Sequence, residues 1–247
     1  MTKDHKKFII IDANALLHRS FHALPPLTTK KGQLINAVYG FTTVLFKVFR
    51  EFKPAYMAVA FDLKKKTFRH KEFKEYKAGR VKAPDEFYEQ IPLAKEVLKV
   101  FDILILEKAG YEADDLIGTV VEENKKKDVD NIIVTGDKDT FQLIDEQTKV
   151  HTMRQGISDV VTYDVHLLKQ RYGISPEQMI DFKAIAGDPS DNIPGVKGIG
   201  EKGALDLLKQ FGSLDNIYKE INKKDDKAKI KPRYLKLLKE QKKDALK

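Results

Sequence analysis

Three apolar runs that each lead into an aspartate constrain this sequence more than any other feature. The runs at 8–11, 55–61 and 131–134 lead into Asp12, Asp62 and Asp137, and Asp139 comes two residues later. Short apolar runs of this kind are typical of buried strands in a parallel sheet. Ligands and catalytic groups collect at the carboxyl edge of such an open α/β sheet. If the three strands are parallel neighbours, the carboxylates converge, so the sequence predicts an α/β fold with an acidic site at one edge.

A cluster of carboxylates needs compensation. Two carboxylates about 4 Å apart repel by roughly 4 kcal/mol at an effective dielectric near 20, so such a cluster binds protons, stays in water or holds a cation. The chain has no cysteine, and no histidine falls in these motifs. Oxygen ligands alone indicate Mg²⁺ or Mn²⁺. For any one aspartate a helix N-cap after a strand is the simpler interpretation, whereas the whole set favours a metal site.

Two further groups of acids stand at predicted loop and helix ends. Glu112, Asp114 and Asp115 lie within four residues at the start of a predicted helix, which is more negative charge than helix capping needs. Asp188 and Asp191 lie in a loop with Gly187 and Pro189. Both groups are candidate metal ligands.

The basic residues are segregated from these acids. The net charge is 45 − 37 = +8, and lysine and arginine concentrate in 64–82 and 223–247. In 63–82, nine basic residues interleave with Phe68, Phe73 and Tyr76, a composition that suits a nucleic-acid backbone with stacked bases. A solvated amphipathic helix with its aromatic residues facing the core is the alternative.

A glycine-rich turn at 195–200 enters a predicted helix at 201–210. Small residues at a helix start let backbone N–H groups approach a phosphate. The Gly-Lys-Ser/Thr of a P-loop is missing, as are the preceding strand and the later acid of a dinucleotide fold. The pattern fits a helix-hairpin-helix that grips a nucleic-acid backbone without reading sequence. A polar, lysine-rich linker is predicted at 222–231, and a basic helix from about Pro232.

Other helices are predicted at 36–52, with Asn36 as the N-cap, and at 84–100. Asn14 is expected at a loop or cap position after the first strand.

The length of the apolar runs and the lack of cysteine limit the class of protein to which the chain can belong. No apolar run approaches the twenty residues of a membrane span, and the first apolar run ends in Asp rather than at a cleavage site for a signal peptide. The lack of cysteine suits a cytoplasmic protein. The last residues stop in mid-pattern, so the chain is expected to be either a free-standing protein or the front part of a longer one.

Six motifs together carry a resemblance. They occur in the order IDANALLHRSFHALPPL, AVYGF, FDLKKKTFRHKEFKEYKAGR, GYEADDLIGT, TGDKDTFQL and GDPSDNIPGVKGIGEKGA. The chain resembles the 5′-nuclease family, to which the N-terminal domain of bacterial DNA polymerase I and the flap endonucleases belong. The resemblance implies a PIN-like (resolvase-like), mostly parallel sheet flanked by helices. It implies a nuclease core at 1–172 with a helical arch at about 63–82, and a helical subdomain at 173–247 with the helix-hairpin-helix at about 187–212.

The resemblance also assigns residues. One divalent ion is implied at Asp12, Asp62, Glu112 and Asp114, with Asp115 close to both ions, and the second at Asp137, Asp139, Asp188 and Asp191. Lys77 and Arg80 of the arch, together with Arg19, would act in catalysis. DNA would be bound by Tyr76, Lys77, Arg80, Arg69, Gly195, Lys197, Gly198, Gly200 and Lys202. The family resemblance further allows a K⁺ ion at the helix-hairpin-helix.

The implied activity is that of a metal-dependent 5′-3′ exonuclease and flap endonuclease. Two Mg²⁺ or Mn²⁺ ions would support in-line attack by water on phosphodiesters near 5′ ends of branched or nicked DNA, in replication and repair. The implied partners are flapped DNA and RNA primer–DNA hybrids, with the protein a monomer located with the nucleoid in the cytoplasm. The resemblance leaves open whether the chain is free-standing or fused to a polymerase region. Two alternatives stay open: a PIN-type ribonuclease, and a non-catalytic protein that binds branched DNA.

Overall fold

The computed structural model describes residues 5–223 and 229–246, which form two compact units. The sheet unit comprises the described residues within 1–68 and 82–164, and the helical unit those within 69–81 and 165–247. Segment 69–81, the greater part of the predicted arch, therefore groups with the helical unit. The predicted division at 172/173 stays a prediction, and residues 224–228 of the predicted linker lie outside the described residues.

The sheet unit is built on six strands. Their bounds are β1 Lys6–Asp12, β2 Tyr56–Ala60, β3 Leu104–Leu106, β4 Val129–Thr135, β5 Thr148–Gln155 and β6 Asp159–Tyr163. Their order is β3-β2-β1-β4-β5-β6, and every neighbouring pair is parallel except β5 and β6. The three strands that lead into aspartates, β2, β1 and β4, are thus adjacent and parallel, as the sequence predicted. The mostly parallel α/β fold is confirmed.

The remaining elements are helices. In chain order they are α1 Ala13–Ala23, α2 Asn36–Phe52, α3 Phe68–Glu72, α4 Asp85–Tyr88, α5 Gln90–Val100, α6 Ala113–Asn124, a 3₁₀ helix Lys138–Leu143, α7 Val165–Tyr172, α8 Gln178–Ala186, α9 Glu201–Phe211, α10 Leu214–Ile221, α11 Pro232–Glu240 and α12 Lys242–Ala245. Within the described residues, no helix is both long and apolar enough to cross a membrane.

Side-chain alternation along the strands places helices on both faces of the sheet. Ile9 and Ile11 of β1 point into a buried cluster with α1, α2 and α5, whereas α6 lies against β1, β2 and β4. Successive residues of a strand point to opposite faces, so the fully buried Ile10 points away from Ile9 and Ile11. Burial on both faces explains why the strand sequences are continuously apolar.

Two local expectations were wrong. Asn36 is the first residue of α2 rather than its N-cap, because its amide donates to the Phe21 carbonyl (2.9 Å) while Gln90 Oε1 accepts from the Ala37 N–H (2.8 Å). The helix predicted over 84–100 is broken at Glu89 into α4 and α5. The break accompanies the burial of Gln90, whose amide caps α2.

The helical unit contains the predicted hairpin. Helices α8 and α9 pack against each other and are joined by residues 187–200. Val196 and Ile199 anchor this loop in the unit's core. In segment 63–82, residues 68–72 are helical and 74–79 form turns, so the predicted helical arch contains only one short helix.

Candidate active site

The carboxyl ends of β2, β1 and β4 bring acidic residues to one edge of the sheet unit. In the register, Asp12 lies opposite Ala60 of β2, and its neighbour Ile11 lies opposite Val134 of β4. Asp62 follows Ala60 by two residues and Asp137 follows Val134 by three. Strand order and register together therefore deliver one aspartate from each of three adjacent strands.

Asp12 is the most enclosed of these acids, with 4% of its surface exposed. Its Oδ1 accepts from the Ala15 N–H (3.0 Å), which caps α1, and its Oδ2 accepts from the Thr135 hydroxyl (2.8 Å). Burial raises the pKa of the Asp12 carboxyl to about 6; the two hydrogen bonds oppose that rise, and the nearby carboxylates of Asp62 and Asp137 add to it. Like charges are thus concentrated around a buried carboxyl group.

Thr135 is a residue that the sequence analysis missed. Its hydroxyl donates to Asp12 Oδ2 and also accepts from the Asp137 N–H (3.0 Å), and the residue is fully buried. One side chain thus ties the end of β1 to the turn after β4. A threonine at the end of a strand is an ordinary β-former, so its type gave no indication of this role.

Asp62 joins this edge to the start of α6. Its Oδ1 accepts from the Ala113 N–H (2.7 Å), and its own N–H donates to Asn14 Oδ1 (3.4 Å). At the same helix end, Glu112 and Asp115 form a capping box in which the Glu112 N–H donates to Asp115 Oδ2 (2.9 Å). The first turn of α6 also carries Asp114.

Asp137 caps the 3₁₀ helix that follows β4. Its Oδ1 accepts from the Asp139 N–H (2.9 Å), and the Thr140 hydroxyl donates to its carbonyl (2.8 Å). Three of these acids therefore act as helix N-caps: Asp12, Glu112 and Asp137. An N-cap is the simpler interpretation that the sequence allowed for any one acid. Capping does not require three helices to begin at one sheet edge, so it leaves their convergence unexplained.

Arg19 lies beside the turn before Asp137. Its Nη2 donates to the Met153 carbonyl on β5 (2.9 Å), and its guanidinium is 3.8 Å from the point where a Cβ on Gly136 would lie. A cation is thus held next to the acidic edge by a backbone contact.

In the helical unit, the loop after α8 holds Asp188 and Asp191. Asp188 accepts from Lys183 Nζ (2.6 Å) and from the hydroxyl and N–H of Ser190 (2.6 and 2.9 Å). Burial by itself would raise the pKa of Asp188, but the hydrogen bonds from Lys183 and Ser190 outweigh burial and lower the pKa to about 2. This carboxylate is ionised at neutral pH.

Asp191 organises segment 69–81. It is 9% exposed and accepts from the Tyr76 hydroxyl (3.0 Å) and from Arg80 Nη2 (2.7 Å), with Lys77 Nζ at 3.9 Å. Its carbonyl accepts from the Lys77 N–H (3.0 Å), and the Asn192 amide donates to the Glu75 carbonyl (2.8 Å). The predicted catalytic cations Lys77 and Arg80 thus share one buried carboxylate.

Segment 69–81 and the loop that contacts it have two features that the sequence did not predict. Lys77 and Asn192 both adopt left-handed backbone conformations, with φ of 56° and 60°, which non-glycine residues adopt at a cost. Tyr76 is only 6% exposed, with its ring 5.2 Å from that of His70. Arg69 lies in α3, and a DNA-binding role for these side chains stays a prediction.

The glycine-rich hairpin is tightly closed. Gly195 has a φ of 57°, and a Cβ there would come within 2.3 Å of the Gly187 backbone, so no other residue fits. Gln241 accepts from the Lys197 N–H (2.8 Å) and donates to its carbonyl (3.0 Å). The exposed Lys197 and Lys202 side chains flank Gly198 and Gly200 at the start of α9.

The sheet-unit acids fit a hard divalent cation. Their donors are all carboxylate oxygens, and a cation at this edge would offset the charge that surrounds the buried Asp12 carboxyl. The candidate ligands for one or two such cations at this edge are Asp12, Asp62, Glu112, Asp114, Asp115, Asp137 and Asp139.

Comparison with protein families covers nearly the whole chain. Residues 7–173 match the family model described as 5′-3′ exonuclease, N-terminal resolvase-like domain. Residues 174–247 match the model described as 5′-3′ exonuclease, C-terminal SAM fold.

Among curated proteins, DNA polymerase I of Bacillus subtilis (strain 168) is 47% identical over 219 residues, which are 89% of this chain and 25% of the relative. DNA polymerase I of Bacillus caldotenax is 44% identical over 225 residues, 91% of this chain and 26% of the relative. The chain thus spans about a quarter of the length of these relatives.

Solved structures share the fold. T5 5′-exonuclease with bound divalent zinc ions has a TM-score of 0.79 at 21% identity and covers 98% of this chain and 87% of its own. The catalytic core of Rad2 in complex with a DNA substrate has a TM-score of 0.60 at 18% identity and covers 97% and 73%.

Proposed function

The chain belongs to the 5′-3′ exonuclease family, and from that premise we propose that it hydrolyses phosphodiester bonds near the 5′ ends of branched or nicked DNA. The proposed activity is that of a metal-dependent 5′-3′ exonuclease and flap endonuclease. Its proposed setting is DNA replication and repair, where it would remove flaps and RNA primers.

One observation carries the proposal: the three adjacent parallel strands β2, β1 and β4 place Asp62, Asp12 and Asp137 at one sheet edge. Structural capping accounts for each acid alone but not for their shared location. T5 5′-exonuclease, which has the same fold, binds divalent zinc ions, and this supports a metal role for the edge.

We assign Mg²⁺ or Mn²⁺ to this edge because carboxylate oxygens are the ligands that these ions prefer. A divalent ion, when bound, supplies positive charge to the phosphate and makes a water molecule more acidic. The sheet-unit acids would hold one ion together with part of the shell of a second. The roles of Asp188 and Asp191 at the second ion, and of a K⁺ ion at the hairpin, stay predictions.

The cations act on the substrate in this proposal. Lys77 and Arg80 would neutralise charge that develops on the phosphate during attack. Arg19, held by the Met153 carbonyl beside Gly136, would approach the scissile phosphate. Neutralising Arg19 should therefore slow turnover more than it weakens binding of the DNA.

The helical unit would hold the duplex away from the cut. Lys197 and Lys202 at the hairpin would contact phosphates, while backbone groups near Gly195, Gly198 and Gly200 allow close approach. The curated relatives are DNA polymerases about four times as long, which supports a fusion to a polymerase region. We expect a monomer that works with the nucleoid in the cytoplasm.

Cleavage of a 5′-labelled flap duplex with Mg²⁺ and with EDTA tests the function. The expected result is cutting at the DNA junction with Mg²⁺ and none with EDTA. Asp137→Ala and Asp115→Ala should abolish cutting and keep DNA binding. Asp102→Asn is the matched control, because Asp102 precedes β3 at the opposite end of the sheet and Asn tolerates its φ of 53°.

The same assay separates the alternatives. A matched single-stranded RNA should stay intact; cutting of RNA alone would indicate a PIN-type ribonuclease instead. Tight binding of the flap without any product would indicate a non-catalytic protein that binds branched DNA. Full turnover by Asp137→Ala would contradict the site.

A further inference from the structure

An apolar cavity of about 350 Å³ lies at the end of the sheet unit opposite the acids. It is lined by the C-terminal half of α2, the start of β2 and the loop before β3. Tyr56 begins β2, whereas Asp62 follows its other end, so about 20 Å of extended chain separate the cavity from the acidic edge. The cavity is therefore outside the proposed active site.

Aromatic side chains form an open mouth on this cavity. Phe46, Phe49, Tyr56 and Phe101 line it and are 43–56% exposed. Phe46 and Phe101 meet edge to face at 5.3 Å, which fixes the two walls against each other. Exposed apolar surface of this kind, when contiguous, marks an interaction site.

The apolar surface continues beyond the cavity along the sheet edge. Val100 is 81% exposed and Leu104 of the edge strand β3 is 58% exposed. A partner with more than one apolar side chain could therefore be accommodated, one side chain in the cavity and another against Val100 or Leu104.

Basic residues lie beside the mouth. Lys6 Nζ lies 5.8 Å from the Tyr56 ring centre and 3.5 Å from its hydroxyl. Arg50 follows Phe46 by four residues and Lys53 follows Phe49 by four, a spacing at which residues of a helix are neighbours, so both cations lie beside lining residues. Among the described residues, Asp102 is the one acid that lines the cavity. The charge around this apolar surface therefore favours an acidic partner.

Two other occupants fit less well. A second copy of this chain would bring the same cations face to face. Single-stranded nucleic acid would find aromatic rings and cations, but the floor of the cavity is Leu45, Met57 and Ile103. An aliphatic floor offers no hydrogen bonds to base edges, and a concave pocket accepts an inserted side chain better than a stacked base.

We propose that this cavity is a docking site for a partner protein, which inserts an aromatic or leucine side chain from a short segment flanked by aspartate or glutamate. The inference does not depend on the nuclease activity, because none of the residues involved belongs to the acidic edge.

The test selects phage-displayed random dodecapeptides on the 247-residue chain and measures binding of the enriched peptide by fluorescence anisotropy. We expect an enriched peptide with an aromatic residue or leucine between acids. Phe49→Ser should weaken it about thirtyfold, as expected for an aromatic anchor. Lys53→Asn should weaken it about threefold at low salt, and Asn suits the φ of 47° at that position.

Tyr39→Ser is the matched control for Phe49→Ser. Tyr39 lies on the same helix and is 55% exposed, against 56% for Phe49, but does not line the cavity. The Tyr39→Ser variant should bind the enriched peptide as tightly as the wild type does. Phe49→Ser, Lys53→Asn and Tyr39→Ser should all retain the circular dichroism spectrum and the flap cleavage of the wild type.

Three outcomes would overturn the proposal. One is the absence of any peptide that discriminates wild type from Phe49→Ser, and another is an enriched peptide without acids. The third is a different occupant: competition by the oligonucleotide dT12 would indicate a nucleic-acid site, and a dimer lost in Phe49→Ser by sedimentation velocity would indicate a second copy.

Discussion

At the scale of single residues, Thr135 is the side chain that connects two of the proposed metal ligands. Its hydroxyl has both of its hydrogen-bonding roles in use, as donor to Asp12 and as acceptor from the Asp137 N–H. Groups that orient metal ligands commonly matter 10–100-fold for affinity or activity, an order-of-magnitude range. Thr135 is thus a positioning residue for the proposed metal site.

Thr135→Val should raise the Mg²⁺ concentration for half-maximal cleavage about tenfold, because Asp12 and the Asp137 turn both lose a partner. Thr135→Ser keeps the hydroxyl and should restore most of the affinity. Calorimetric titration with Mn²⁺ in the absence of DNA measures the same effect without turnover. Equal Mn²⁺ affinities in the Val and Ser variants would contradict the positioning role.

The location of single residues could be predicted from sequence where a metal-ligating residue type directly follows an apolar run. Asp12, Asp62 and Asp137 stand directly after apolar runs, so their location at strand ends could be inferred. Thr135 could not be assigned, because its partners come from two strands whose register only the folded sheet defines. Asn14, which accepts from the Asp62 N–H, is a similar case: it was predicted only as a loop or cap residue.

His151 predicts how stability depends on pH. It is 2% exposed on β5, its Nδ1 is 2.9 Å from the Thr162 hydroxyl, and burial lowers its pKa below the ordinary value of 6.5. At pH values below 6.5 the His151 side chain is protonated in the unfolded chain but stays neutral in the folded chain. The free energy of unfolding therefore decreases as the pH is lowered from about 6.5 to the pKa of the folded state.

His151→Asn removes this titration and keeps a polar group near the Nδ1 position. We expect the unfolding free energy of the wild type to fall more steeply than that of the variant between pH 6.5 and 5. Urea unfolding at half-unit pH steps measures both curves. Parallel curves would show that His151 does not contribute.

At the scale of elements, segment 69–81 depends on the loop after α8. The hydroxyl of Tyr76, Arg80 and the N–H of Lys77 all meet Asp191. Tyr76→Phe removes one buried donor, a loss of about 1 kcal/mol. Amide exchange in 69–81 should therefore become about fivefold faster, which hydrogen exchange with mass spectrometry measures.

Tyr218→Phe provides the matched control. Tyr218 is in the same unit, is also 6% exposed, and donates to the Leu238 carbonyl (3.2 Å). It should leave exchange in 69–81 unchanged while speeding exchange near α11. If both variants accelerated 69–81 equally, the effect would be general destabilisation and not loss of the Asp191 contact.

Helices and strands could be predicted where local signals in their own sequence define them. The strands and α6, α9 and α11 follow from apolar runs, caps and Pro232 at a helix start. The capping of α2 by Gln90, which accompanies the break at Glu89, is a contact between residues 53 apart in the chain, so local pattern could not reveal it. Segment 63–82 was predicted to be a helical arch, but Tyr76, Lys77 and Arg80 all contact Asp191 of the 188–192 loop.

At the scale of the whole molecule, the sequence predicted the fold class and the family but not the grouping of 69–81 with the helical unit. That grouping depends on contacts across more than 100 residues, such as Tyr76 with Asp191. The charge distribution, in contrast, is a property of the sequence alone. With a net charge of +8, the chain should bind DNA with a strong dependence on salt.

The number of proposed phosphate contacts predicts how steeply the DNA-binding constant depends on salt. If Arg69, Lys77, Arg80, Lys197 and Lys202 each neutralise a phosphate, log K should fall against log salt with a slope of about −4 to −5. Flap binding by Asp137→Ala in EDTA, between about 50 and 200 mM KCl, measures the slope without cleavage. Lys197→Ala should reduce the slope by about 1, whereas Lys53→Asn, beside the apolar cavity, should leave it unchanged. An equal loss from Lys53→Asn would mean that DNA contacts the cavity side of the sheet, and it would contradict both the hairpin assignment and the proposed protein-docking site.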